Sequence, residues 1–369
     1  MKGKPLQEQT RKNFVTYGIA IIAFVIMMVL MSAGALSSQL TGLLVPICTY
    51  IILAVSLNLT VGVLGELSLG HAGFMCVGAF ASAFFSVCMK DTITSVWIRF
   101  PLALLIGAAA AALFGFLIGI PVLRLRGDYL AIVTLAFGEI IKNIVNVLYV
   151  GRDENGLHFS FLDSSGLEMT ENGKMLINGP MGITGTPKDS SFVVGFILVM
   201  ATLVIVLNII GSRTGRAVMS IRDNRIAAES TGINITKYKL LAFTISAALA
   251  GVAGVLYSHN LATLTATTQN FGYNMSIMIL VFVVLGGMGN IRGSMIAAVV
   301  LYMLPEMLRG LNSSALPGYL QWINNRMLIY AIILIVMMIF TSSPKLAGFR
   351  EKISPRNWFR AKSKKEAEE

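Results

Sequence analysis

Glu139 and Lys142 stand three residues apart inside the apolar run 129–150, and Glu66, Ser68 and His71 lie in the glycine-rich stretch Gly65–Gly73 between two other apolar runs. Charged groups in such runs cost several kcal/mol to bury in hydrocarbon, so each needs a partner or a task. Spacing i,i+3 puts Glu139 and Lys142 on one helix face, as a mutually neutralised intramembrane pair against another helix or as a coupling-ion site. Glycine-rich interruptions free backbone donors and acceptors, which is tolerated only inside protein or along a water-filled path. The first interruption carries Glu66, Ser68, Gly70 and His71; the second carries Gly286, Gly287, Gly289 and Asn290. Paired interruptions are the pattern expected along a substrate path through a membrane, and tight helix packing by small residues is the competing reading. Leucine at Gly70 or Gly287 is then expected to abolish transport while leaving assembly intact.

Other chemistries find no footing. There is no GxxxxGK[ST] phosphate loop, no G-x-G-x-x-G opening a helix and no G-x-S-x-G serine elbow. His71, His158 and His259 form no HExxH or facing set, and Cys48, Cys76 and Cys88 lack metal-ligand spacing, so no metal site is expected. The chain reads as a non-enzyme that binds no cofactor itself and has no motor of its own.

The elements that must position these residues are membrane helices. Of 369 residues, 55% are hydrophobic and 13% charged, with a mean hydropathy of +0.75. A water-soluble fold lacks the polar surface to cover that much apolar side chain, and a disordered chain is poor in it. Lipid offers backbone groups no partner, so the spans are helical, each needing about 20 apolar residues. The expected fold is an all-α polytopic membrane protein of about ten transmembrane or re-entrant helices. Candidate spans lie near 14–36, 40–61, 67–89, 101–123, 129–150, 192–211, 240–260, 275–288, 293–308 and 327–341. An even number puts both termini on one side. Placing them inside leaves 21 Lys and Arg on the cytoplasmic side against 7 outside, so both termini are expected to be cytoplasmic. The net charge of +11 thus reports orientation and gives no reason to invoke nucleic acid.

The expected organisation is a cytoplasmic N-terminus 1–13, a transmembrane region 14–341 and a basic cytoplasmic tail 342–369. Residues 151–191 form the long external loop and 212–239 the long cytoplasmic one. Within the latter, Arg225–Asn234 reads as a short amphipathic helix stopped by Gly232, placed on the lipid surface or docked into a partner.

The motifs in order resemble the permease subunits, of the LivM type, of bacterial branched-chain amino-acid ABC importers. Asn58–Phe74 resembles the family's early glycine-rich segment, and Arg124–Glu139 the stretch after its central helix. Asn178–Pro187 is similar to its external Gly-Ile-x-Gly-x-Pro element, Gly215–Gly254 to its cytoplasmic loop and following helix, and Leu285–Asn290 to its late glycine motif. The resemblance implies a heterodimer with a second permease subunit, two cytoplasmic ATPase subunits that carry the ATP, an external substrate-binding protein and a bacterial cytoplasmic membrane. It also implies that Arg222, Arg225, Ala227, Ala228, Glu229 and Gly232 belong to the ATPase-coupling loop. The family's loop glutamate is displaced here, with Ala227 and Ala228 preceding Glu229. Branched-chain amino acids are the expected cargo; urea or short amides on the same architecture, and a stand-alone ion-coupled carrier using Glu139 and Lys142, are the alternatives.

Overall fold

In a computed structural model of the chain, the described residues are 4–307, apart from 36, 126, 155, 162–164 and 168–172, and a few helical positions between 331 and 339. The chain forms two compact units, residues 1–300 and 301–369. The described part of the second is helical.

The apolar runs become helices α1 (Lys4–Ser32), α2 (Ser38–Asn58), α3 (His71–Cys88), α4 (Val96–Val122), α5 (Asp128–Val147) and α6 (Phe192–Gly211). A polar segment then forms α7 (Arg213–Asp223) and α8 (Arg225–Ser230). The bundle is completed by α9 (Ile235–Ser258), α10 (Thr268–Phe271), α11 (Tyr273–Gly286) and α12 (Ile291–Met307). Among the described residues, eight helices are long and apolar enough to cross a membrane, with α10 and α11 counted as one, Thr268–Gly286. At 17 residues α12 is shorter than those eight.

The centre is built from α2, α3 and α9, while α1 turns most of its apolar side chains outward. The run Ala247–Gly254 explains why α9 sits there. Gly251 lies so close to Gly78 of α3 and Ala111 of α4 that a Cβ on it would collide with Ala111. Small residues of this kind let helix backbones approach where lipid gives no hydrophobic drive for association. Larger side chains fill the gaps, with the Phe74 ring edge-on to Phe243 at 5.5 Å.

The connections divide by end. At one end, the expected long loop 151–191 folds in part into short strands: β1 (Tyr149–Asp153), β2 (Gly156–Ser160), β3 (Lys174–Asn178) and β4 (Ile183–Thr184). They form an antiparallel sheet of order β2-β1-β3, with β4 pairing β5 (Thr263–Leu264) after α9. One crossing of α6 separates this sheet end from the loop end, where α7 and α8 lie. Several expected spans shift. The first, fourth and seventh begin earlier, at Lys4, Val96 and Ile235, the third begins at His71 instead of 67 because residues 65–70 are not helical, and the eighth gains α10. The tail 342–369 and most of the span expected at 327–341 lie outside the described residues.

Candidate functional site

The first interruption starts inside α2. After Asn58 the helix widens into a π-helical turn, Leu59–Leu64, and stops at Gly65, whose φ of +80° is a left-handed conformation that glycine adopts without cost. Residues 65–70 then form an irregular, non-helical stretch and α3 begins at His71. His71 Nε2 bonds Ser56 Oγ at 2.7 Å, level with a residue eight positions back from Leu64. The irregular stretch therefore runs back alongside the π-helical turn before the chain turns helical again. Its polar groups are met from three helices. Thr134 of α5 accepts from the Leu69 amide (3.0 Å), Ser276 of α11 accepts from the Ala72 amide (3.2 Å), and Lys239 of α9 forms a half-buried ion pair with Glu66. Ser68 Oγ is buried and finds no partner. Such an orphan is uncommon in a native interior and asks for an explanation.

The second interruption is the turn between α11 and α12. Gly287 and Gly289 hold positive φ values of +93° and +80°. Met288, Gly289 and Asn290 are exposed on the surface of this chain, whereas Ser68, Gly70 and His71 are buried. The two interruptions are stitched together by Asn58. Its carbonyl accepts from the Gly289 amide (2.8 Å) and its amide donates to Ser294 Oγ (2.5 Å). Gly62 makes this possible, since a Cβ there would collide with both Asn58 Oδ1 and the Gly289 amide. Asn58 opens the first glycine-rich motif but is absent from the site residues that the sequence suggests. A lone amide at the end of an apolar run is the signal that could have raised it.

The loop end reaches the first interruption directly. Arg222 of α7 donates through Nη1 to the Gly62 carbonyl (2.9 Å), while its other nitrogens pair with Asp223. Arg225, Ala227 and Glu229 are exposed on α8, and Ala228 turns inward. Asn224 caps α8 by accepting from the Ala227 amide (3.0 Å). Gly232 ends it at φ +84°, with the Ile233 amide on Ala228 O and the Gly232 amide on Glu229 O. This is a Schellman stop, so the helix ends at the glycine for the reason the sequence suggests. The single helix expected in this loop is two helices, because Asn224 in an extended conformation separates α7 from α8.

Glu139 and Lys142 do meet, at 2.5 Å. Lys142 also donates to Thr268 (3.1 Å), and Glu139 accepts from the Tyr273 amide (2.7 Å) at the first turn of α11. A carboxylate at a helix N-terminus is favourably placed against the helix dipole. The pair thus anchors α10 and α11 to α5. Room for a side chain differs between the two glycines named for substitution. At Gly70 a Cβ would run into the Thr134 backbone, so leucine there strains the packing of α5 on this stretch as well as the path. At Gly287 the nearest atom is Asn290 Cβ at 3.6 Å, so there is room for a side chain, but φ of +93° strains any other residue in that turn.

At the sheet end, Arg99 lays its guanidinium on both oxygens of Asp189 (2.7–3.1 Å). His259, fully buried, bonds Ser86 Oγ through Nε2 (2.8 Å) and lies edge-on to Phe100. Burial lowers the pKa of His259 below the usual imidazole value, against the opposing pull of the Val255 carbonyl and the Asp189 charge.

Comparison with known proteins places this architecture. A family described as "Branched-chain amino acid transport system / permease component" matches residues 39–338. The high-affinity branched-chain amino acid transport system permease protein LivM of Salmonella typhimurium is 38% identical over 272 residues, covering 71% of this chain and 62% of the relative. LivM of Escherichia coli is 34% identical over 317 residues, covering 84% of this chain and 70% of the relative. The permease protein LivH of Salmonella typhimurium is 22% identical over 296 residues, covering 79% and 89%. This chain thus spans less than two thirds of the Salmonella LivM protein. No solved structure matches it. With two interrupted helices in a polytopic bundle and a match across most of its length, the chain belongs to the family of branched-chain amino acid transport system permease components.

Proposed function

We propose that this chain is the LivM-type permease subunit of an ABC importer that moves leucine, isoleucine and valine into the cell. Two different permeases form the gated path, two ATPase subunits carry the ATP, and an external binding protein delivers substrate. The observation that carries the reading is the stitched pair of interruptions, one buried and one exposed, inside a member of this family. The surface position of Met288–Asn290 suits a path completed by a second permease, and the orphan Ser68 hydroxyl suits a polar end of a zwitterion. The charge bias supports a cytoplasmic position for both termini and the α7–α8 loop of a bacterial protein, with the strands outside. Glu139 and Lys142, each already engaged in holding α10 and α11, are a structural pair in this reading and not a coupling-ion site.

Purification of the tagged chain from its native membrane in mild detergent, followed by mass spectrometry, tests the assembly. Recovery of a second permease and two ATPases is expected. Uptake by proteoliposomes of that complex should need ATP and loaded binding protein, survive ionophore, and be competed by leucine, isoleucine and valine but not by urea. A chain that comes through alone and moves substrate without ATP would overturn the reading. Gly287→Leu should abolish uptake, with the strain of a side chain at φ +93° read separately as a lower melting temperature of the recovered complex; normal uptake would remove the second interruption from the path.

A further inference from the structure

The cytoplasmic segment grips the first interruption from two sides. Ile221 of α7, Ala228 of α8 and Ile235 in the first turn of α9 share one buried apolar cluster, which ties α7 and α8 to the start of α9 around the Asn224 elbow. A second cluster joins Val218 of α7 and Ala242 of α9 to Leu59, Val63 and Leu64 of the π-helical turn. Two polar contacts fix the register of that packing. A helix that stops at Gly65 leaves its last carbonyls without backbone donors, and a cation at that end is favourable. Arg222 supplies it, donating to Gly62 O, with its stem packed against the spot where a Cβ of residue 65 would stand. From the other side Lys239 holds Glu66, the first residue after the break. Asn58, one turn before Gly62, passes the constraint to Gly289 and Ser294 of the second interruption.

We propose that Arg222 and Lys239 are positioning residues that convert displacement of α7, α8 and the start of α9 into a coordinated shift of both helix interruptions, with Asn58 as the link between them. The proposal rests on the importer reading. It assigns to this loop a task beyond docking: the part of the permease that receives the ATPase stroke also holds the unwound backbone of the path. Packed, hydrogen-bonded elements with two discrete arrangements carry coupling in this way, whereas an exposed loop with no inward contact could not.

The test is the number of substrates moved per ATP hydrolysed by the complete complex in proteoliposomes. Arg222→Ala should leave hydrolysis stimulated by loaded binding protein within about twofold of wild type and lower the transport ratio at least about tenfold, the scale of one charge-assisted hydrogen bond. Glu66→Lys and Lys239→Glu should each lower the ratio, and the double exchange should restore more than half of it, a rescue that a packing defect does not show. An unchanged ratio in Arg222→Ala, hydrolysis and uptake falling in parallel, or an assembled double exchange without recovery would overturn the proposal. Loss of the complex in both Arg222→Ala and the double exchange would do the same, since the contacts would then serve the fold alone. Wild-type proteoliposomes that show no ATP-driven uptake would instead overturn the importer reading, and the relay with it.

Discussion

At the sheet end, Arg99 spans both carboxylate oxygens of Asp189, the two side chains are 6% and 7% exposed, and His259 is locked between Ser86, Ser258 and Phe100. At the loop end, Arg222 makes one contact to a backbone carbonyl with its side chain 39% exposed, and α8 presents Ile226 to solvent. Both ends use an arginine to meet groups that would otherwise lack a partner. The difference lies in redundancy and burial. The sheet end is a multiply bonded clamp across α4, α9 and the segment before α6, and the loop end is a small body held by two apolar clusters and by single polar contacts to the first interruption. Interfaces that must shift are drawn from the weakly held parts of a fold, so the contrast teaches which end can serve as pivot and which as lever.

The largest expected effect tests the clamp. Arg99→Ala leaves Asp189 buried without its counter-charge, which should cost about 3–5 kcal/mol and strip most folded protein from the membrane. Arg222→Ala, half in water, should cost no more than about 1 kcal/mol. Thermal unfolding of the two detergent-solubilised variants checks this directly, and equal losses would erase the distinction between the ends. Next comes Gly62→Ala, where the new Cβ collides with Asn58 and the Gly289 amide. Forcing that carbon in should cost about 1–3 kcal/mol and separate the two interruptions, read as lower thermal stability together with lost uptake.

Acid should loosen the clamp. Burial holds the folded-state pKa of His259 below the unfolded value of about 6.5. Its contribution is therefore fully present above about pH 6.5 and is lost as the pH falls through that value toward the folded pKa, at up to about 1.4 kcal/mol per pH unit for one proton. Thermal melts from about pH 8 to about pH 5 should show a decline confined to the acid side, and His259→Asn should make it shallower, the buried His71 ring remaining, at the expense of some stability at the alkaline end. A decline of the same size in that variant would assign the acid sensitivity elsewhere.

The spans were legible because each apolar run is long enough to force a helix, and Gly232 was legible as a stop because only glycine takes the left-handed turn so readily. Gly65–Gly73 was readable as an interruption, yet its form was not. The return of residues 65–70 alongside the π-helical turn depends on Thr134, Ser276 and Lys239, which stand far away in sequence. The start of α7 was hidden for another reason: Arg213–Asp223 buries only Gly215, Val218 and Ile221, too sparse a stripe to announce a helix against its charges. The strands between 149 and 184 are short and pair through backbone groups, so residue types alone gave no alternation to read. Arg99 fell just ahead of the expected fourth span, and nothing local links it to Asp189, 90 residues on. The Asn58–Gly289 bond, across 231 residues, joins two motifs that the sequence singled out separately.

The smallest effect on stability should come from the tip of the lever. Ile226 is 81% exposed, on a helix of six residues whose inward side chain, Ala228, already fills the apolar cluster with Ile221 and Ile235. A large apolar side chain held on the surface by a well-capped helix has no intramolecular reason to be there, but a docked partner would bury it at a gain of about 1.5–3 kcal/mol. Ile226→Ser should therefore move the melting temperature by less than the equivalent of about 0.5 kcal/mol, while the amount of ATPase recovered with the permease falls about tenfold or more. Gly232→Ala is the matched control at the other side of the same helix. It strains the left-handed stop by about 1 kcal/mol without touching the exposed face, so it should loosen α8 and lower ATPase recovery less than Ile226→Ser does. If the two variants rank the other way, the contact depends on the rigidity of the lever more than on its apolar tip, and the loop end acts through its shape.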